Sequence, residues 1–149
     1  MADQTCVFCR IIGGEEMVSV IHEDDQTLAF MDIQPVSRGH ALVVTREHHP
    51  QIWNLPEDLL MHCLGVSRRI ADGIKRSTGA ASVNVFCADG VDGGQDVPHF
   101  HLHLIPVQKG EVFPLQLPPS GAPIPSRSEL DVMAARIGRA IQERAGSSV

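Results

Sequence analysis

A chain of 149 residues with a formal net charge of −6 and 43% hydrophobic residues has apolar material for one domain and too little length for two comfortable ones. Its acidic balance argues against a protein that wraps nucleic acid or coats a membrane, since phosphates and anionic headgroups are not drawn to a net negative surface. No apolar run reaches the length of a membrane span, and Met1 to Thr5 show neither the basic flank nor the apolar stretch of a signal peptide, so the expected compartment is cytoplasmic.

The first chemical signal is Cys6-Val7-Phe8-Cys9. In a reducing compartment this spacing is better read as half of a metal site than as a disulfide, because it brings two thiolates onto one tight turn, suited to tetrahedral zinc. Two further ligands must come from elsewhere, and the candidates are His48 or His49 together with His99. Residues 17–21 and 27–31 then read as short strands joined by the polar turn Glu23-Asp24-Asp25-Gln26. Asp32 opens a loop containing Pro35 and Gly39, and His40 stands just before a buried strand from Ala41 to Val44. A carboxylate at a strand end suits the cis-diol of a ribose, because it can accept two hydroxyl hydrogen bonds; elsewhere such an Asp is usually just a solvated loop residue.

A helix follows, with Asn54 as N-cap, Pro56 in the first turn and Glu57 completing a capping box. Leu59, Leu60, Cys63, Val66, Ile70 and Ile74 recur on one side at helical spacing, and Gly79 marks the end. This helix covers a core and carries no site. The strand Ala81 to Phe86 leads, past Cys87, into the turn-rich run Ala88-Asp89-Gly90-Val91-Asp92-Gly93-Gly94, whose glycines let backbone amides approach a phosphate.

That loop enters Gln95-Asp96-Val97-Pro98-His99-Phe100-His101-Leu102-His103-Leu104. The alternation has the period of a β-strand, so His99, His101 and His103 should leave one face while Phe100, Leu102 and Leu104 enter the core. Same-face residues about 6–7 Å apart can act together on one phosphate and its ester oxygen. Beyond Pro106 the pattern fades: residues 109–127 are rich in Pro and Gly and read as a linker, and a last helix from about Glu129 to Ala145 has Ser126 or Ser128 as its cap.

The alternating histidines preceded by Gly93-Gly94-Gln95 resemble the signature of the histidine-triad (HIT) superfamily, and the order of motifs from Cys6 to about Gln108 is similar to that of its zinc-containing branch. The resemblance implies an α+β fold: an antiparallel sheet of about five strands with one main helix packed across it. Residues 1–108 would be the HIT domain, 109–127 the linker and 128–149 a C-terminal helical extension. It also implies that His101 attacks the α-phosphorus of a nucleotide to make a covalent nucleotidyl-histidine, with His103 orienting the nucleotide and His40 supporting the nucleophile. Asp32 would meet the ribose, Ile33 the base, and Gly94 and Gln95 the phosphate; Asp96, where the family pattern differs, could give a proton to the leaving group, or its alternation with Gln95 and Val97 could turn it away. Structural zinc would be held by Cys6, Cys9, His48 and His99, and the protein would pair as a homodimer.

Two departures unsettle the substrate class. Many phosphoramidate-cleaving members place Ser after the Gln and Asn seven residues before it, where this chain has Asp96 and Ala88. The expected activity is therefore hydrolysis or nucleotidyl transfer on a purine nucleotide of phosphoramidate or dinucleotide type. Its rivals are a phosphatase of a small non-nucleotide phosphate ester and a catalytically weak, zinc-stabilised nucleotide-binding protein.

Overall fold

The structure, a computed structural model, describes residues 5–111, 113 and 121–146. Residues up to Phe113 form one compact unit and those from Pro114 onward a second. In the first unit the order is α1 (Val7–Ile12), β1 (Val20–Glu23), β2 (Thr27–Met31), β3 (Ala41–Thr45), α2 (Glu57–Thr78), β4 (Ser82–Phe86) and β5 (His101–Val107); α3 (Arg127–Gly146) lies in the second. The five strands make one sheet in the order β1-β2-β3-β5-β4, antiparallel at every pairing. This is the α+β architecture that the sequence leads one to expect.

Strand alternation sorts the side chains onto two faces. Ala29, Ala41, Val43, Leu102 and Leu104 face one way and pack with Phe100 against Cys63, Val66, Ile70 and Ile74 of α2. Leu28, Phe30, Leu42 and Val44 face the other way and pack against Cys6, Phe8 and Cys9 at α1. The sheet is thus buried on both sides through its centre, so β2 and β3 read as apolar runs and not as alternating ones. Cys63 is fully buried in α2, and Cys87 packs against the same core.

Several local expectations are corrected. The Cys-x-x-Cys segment is not a tight turn: Cys6 is the N-cap of α1, and Cys9 sits inside the helix. The first strand begins at Val20 and runs to Glu23, because its ladder is anchored by Val20 opposite Phe30 and by the turn, where Asp24 Oδ1 accepts the N–H groups of Gln26 (3.0 Å) and Thr27 (2.7 Å). The capping box at Asn54 does not form. Leu55, preceding a proline, is held extended at ψ 141, which leaves Asn54 in a separate 3-10 turn and makes Pro56 the N-cap. Gly79, by contrast, caps α2 at φ 71, a left-handed conformation that favours glycine. At α3 a box does form: Ser126 Oγ and N–H both bond to Glu129 Oε2, and Glu129 N–H returns to Ser126 Oγ. Of the linker expected over 109–127, residues 112 and 114–120 lie outside the described residues.

Candidate active site and metal centre

Strands β3 and β5 are neighbours, with Leu42 opposite His103 and Val44 opposite His101. That register places His40, His101 and His103 on the α1 face of the sheet. The strand itself starts at His101 and not at His99, since His99 N–H donates to Val97 O (2.8 Å) and Phe100 N–H to His49 O (2.6 Å), bonds that bend the chain just before the ladder begins. His99 is thereby turned toward α1, where its ring meets the thiols.

The four residues Cys6, Cys9, His48 and His99 each offer a ligand atom within 4.8 Å of the others. His99 Nδ1 lies 3.4 Å from Cys6 Sγ and 3.7 Å from Cys9 Sγ, and His48 Nδ1 lies 3.4 Å from Cys9 Sγ. A tetrahedral zinc with bonds of about 2.3 Å to sulfur and about 2.1 Å to nitrogen needs S···N edges of about 3.6 Å. The donor set and its spacing are consistent with zinc. His99 Nε2 is 2.7 Å from Thr45 O, so that nitrogen carries the proton and Nδ1 keeps its lone pair for the thiol side. Burial holds His99 down at about 4, helped by the neighbouring His48, His101 and His49 and opposed by the Thr45 bond. Of the two histidines that the sequence leaves open, His48 is the one brought to the thiols; His49 Nε2 instead faces Glu47 Oε2 at 3.5 Å.

The second cluster is built from His101, His103, His40 and Asp32. His101 Nδ1 lies 2.7 Å from His99 O, a carbonyl that can only accept, so the proton of the neutral ring is on Nδ1 and Nε2 presents a lone pair. His40 Nδ1 accepts the Val36 N–H (3.1 Å), which puts that ring's proton on Nε2, where it is donated to His103 Nδ1 at 2.9 Å. His103 in turn must carry its proton on Nε2. One backbone N–H and one backbone carbonyl thus fix the tautomers of all these rings. Burial pushes His101 and His40 below the ordinary imidazole value and brings His103 to about 4, so all are neutral at pH 7. Asp32 Oδ2 stands 3.5 Å from His40 Nε2, while its Oδ1 accepts the Gln34 N–H at 2.8 Å. Ile33, beside it, is 87% exposed.

Other expected site residues stand as follows. Gln95 is buried, with Oε1 accepting Gly90 N–H (2.7 Å) and Nε2 donating to Pro50 O (2.7 Å), so its side chain braces the loop. The N–H groups of Gly93, Gly94 and Gln95 bond to Gly90 O, Val91 O and Gly90 O. These amides, expected to face a phosphate, therefore have partners within the loop. Asp96 is exposed, and its charge acts on both His101 and His103.

Three contributors escape a reading by motif. Phe8 packs edge-on against His99 (5.8 Å between centroids) and His101 (5.1 Å), so one ring braces both clusters; its place between the two cysteines was the available signal. Thr45 supplies the carbonyl that sets the His99 tautomer, and nothing in its residue type announces that. Phe86, at the end of β4, lies 5.6 Å from His103, a contact that only strand register reveals.

Comparison with known proteins places this site in context. The family model described as HIT domain matches residues 14–110. The chain is 35% identical over 104 residues to the adenosine 5′-monophosphoramidase HNT1 of Saccharomyces cerevisiae, covering 70% of this chain and 63% of that protein. It is 35% identical over 101 residues to the adenylylsulfatase HINT3 of Arabidopsis thaliana, covering 68% of this chain and 51% of that protein. Among solved structures, a HIT family protein from Bacillus anthracis superposes with a TM-score of 0.83 at 33% identity, covering 94% of this chain and 99% of that one. A zinc-bound histidine triad family protein from Mycobacterium smegmatis gives a TM-score of 0.70 at 30% identity, covering 91% and 97%.

Proposed function

The chain belongs to the HIT-domain family, and we propose that it is a nucleotide hydrolase or nucleotidyl transferase in which His101 attacks the α-phosphorus of a purine nucleoside 5′-phosphoryl substrate. The observation that carries this reading is the 2.7 Å bond from His101 Nδ1 to His99 O, which leaves Nε2 unprotonated and held in one orientation. Relatives that cleave adenylylated substrates at 35% identity support it.

In the first step the Nε2 lone pair forms a bond to phosphorus as the bond to the leaving group breaks. No separate base is needed, because burial keeps the ring neutral. His103, its proton on Nε2, stabilises phosphoryl oxygen as charge develops there, and His40 holds His103 in that tautomer. Asp32 binds the ribose hydroxyls, exposed Ile33 lies against the base, and Gly94 and Gln95 shape the phosphate loop. Water then attacks phosphorus and releases His101. Cys6, Cys9, His48 and His99 would hold zinc as a structural ion, since together they offer four protein ligand atoms. A homodimer is supported by the unpaired sheet edge at β4, where Val85 and Phe86 are 49% and 39% exposed. The described helices include none long and apolar enough to cross a membrane, which accords with a cytoplasmic enzyme.

The test is His101→Ala assayed on an adenosine 5′-phosphoramidate beside AMP binding by calorimetry. Turnover should vanish while AMP still binds. Turnover at the parent rate in the variant refutes the proposal.

A further inference from the structure

A cleft of about 670 Å³ lies on the α2 face of the sheet, the face opposite His40, His101 and His103. Val66, Ile70 and Ile74 of α2 form one wall, and Ile21 of β1 and Met31 of β2 stand across from them, so the walls are apolar. The α2 residues that line it run from Val66 to Thr78, roughly 18 Å of helix at about 1.5 Å per residue. The size is that of a small-molecule site, and the length suits a chain better than a compact ring. Gly73 keeps the middle open: a Cβ there would meet nothing within 4 Å. This glycine lies in the interior of α2, where alanine or leucine would hold the helix better.

The polar side chains around the cleft decide what end such a chain would carry. Ser77 Oγ and Thr78 Oγ1 both donate to Ile74 O (3.2 and 2.7 Å), and His22 Nε2 faces Asp24 Oδ2 at 3.1 Å. Arg38 and Arg69 remain; both are exposed and, among the described residues, neither takes part in a hydrogen bond or ion pair. No Asp or Glu is among the described residues lining the cleft. In a chain with 18 acidic residues against 12 basic ones, two unpaired guanidiniums beside one apolar cleft select for an anion. A guanidinium meets a carboxylate through two parallel N–H bonds. We propose that this cleft is a second binding site, separate from the histidine cluster, for a free linear carboxylate with an apolar chain. The chain lies between α2 and the strands, where its burial drives binding, and its carboxylate is held by Arg38 and Arg69. The net charge of −6 disfavours the alternative of an anionic membrane surface. The site does not depend on nucleotidyl transfer.

The experiment is calorimetry of the full chain with dodecanoate, kept below its micelle-forming concentration, beside dodecyltrimethylammonium, which has the same chain and a cationic head. Wild type should bind dodecanoate at one site per chain and the cation about tenfold more weakly or less, the effect of reversing one charge near a protein surface. Arg38→Gln and Arg69→Gln should each weaken dodecanoate by about three- to tenfold and leave the cation's affinity unchanged or raised. Gly73→Leu, which fills the cleft, should abolish dodecanoate binding while AMP binding and the urea midpoint stay at or above the parent values. Amide shifts of 15N-labelled wild type on adding dodecanoate should centre on residues 66–78. The proposal is overturned by no binding to wild type, by equal affinity for the two heads, by parent affinity in Gly73→Leu, or by shifts centred on His101 and His103. It is overturned equally if wild type binds no dodecanoate and Gly73→Leu converts a dimer to monomers in sedimentation, since the cleft would then seat a second copy of the chain.

Discussion

His99 and His101 stand two residues apart, are both buried, and present opposite nitrogens. His99 gives its Nε2 proton to Thr45 O and turns Nδ1 to the thiols; His101 gives its Nδ1 proton to His99 O and leaves Nε2 to the substrate side. The residue type is the same, so the difference lies in which ring nitrogen meets a carbonyl. That is decided by backbone, one carbonyl at the end of β3 and the other on His99 itself. A histidine's chemistry here is set by its fixed acceptor more than by its place in an alternating motif.

The contrast breaks most sharply by deleting one ring at a time. His101→Ala should lower kcat by about 10⁴-fold or more, as losing a nucleophile does, with zinc content unchanged by elemental analysis. Cys9→Ser should do the reverse: zinc content falls, stability in urea drops by about 3 kcal/mol or more, and turnover per folded molecule persists. Loss of zinc from the His101 variant would merge the two roles that the geometry separates.

Acid sharpens the comparison with a smaller effect. His103 titrates at about 4 in the fold, chiefly because it is buried, against about 6.5 for a free imidazole, and His40 is lowered for the same first reason. Between those values the unfolded chain binds more protons than the folded one. The stability these neutral rings contribute is complete above about pH 6.5 and is lost as pH falls toward 4. The His103 share is about 1–2 kcal/mol, less than the shift alone implies because the ring is partly exposed and screened. Urea melts of wild type and His103→Asn from pH 7.5 to 4 should show the slope flattened in the variant. Smallest is His49→Gln, which should leave zinc content and turnover near wild type, while His48→Gln lowers zinc; the opposite result exchanges the two residues' roles.

Much of this was legible in the sequence because local pattern and burial agree. The period-2 run at 100–104 put Phe100, Leu102 and Leu104 in the core and His101 and His103 opposite, and the helical spacing of Cys63, Val66, Ile70 and Ile74 gave the covering face of α2. Boundaries were less legible because they depend on competing local bonds. Asn54 and Ser126 carry the same capping signature, but only Ser126 forms the box; Asn54 precedes a Leu-Pro pair that holds the chain extended. The partners of Gln95 and the packing of Phe8 were hidden, since each depends on residues far apart in sequence, Pro50 for one and β5 for the other. Which nitrogen each histidine presents was hidden for the same reason.

The most direct test of that last point is the position of the covalent bond. Wild-type protein, mixed briefly with an adenosine 5′-phosphoramidate and quenched by denaturation, should yield one nucleotidylated peptide containing His101. Phosphorus–nitrogen coupling in 15N-histidine-labelled protein should place the bond at Nε2. Attachment at Nδ1 of His101, or on His40, His99 or His103, would contradict the account, because each requires a nitrogen that the hydrogen bonds described here leave protonated or otherwise engaged.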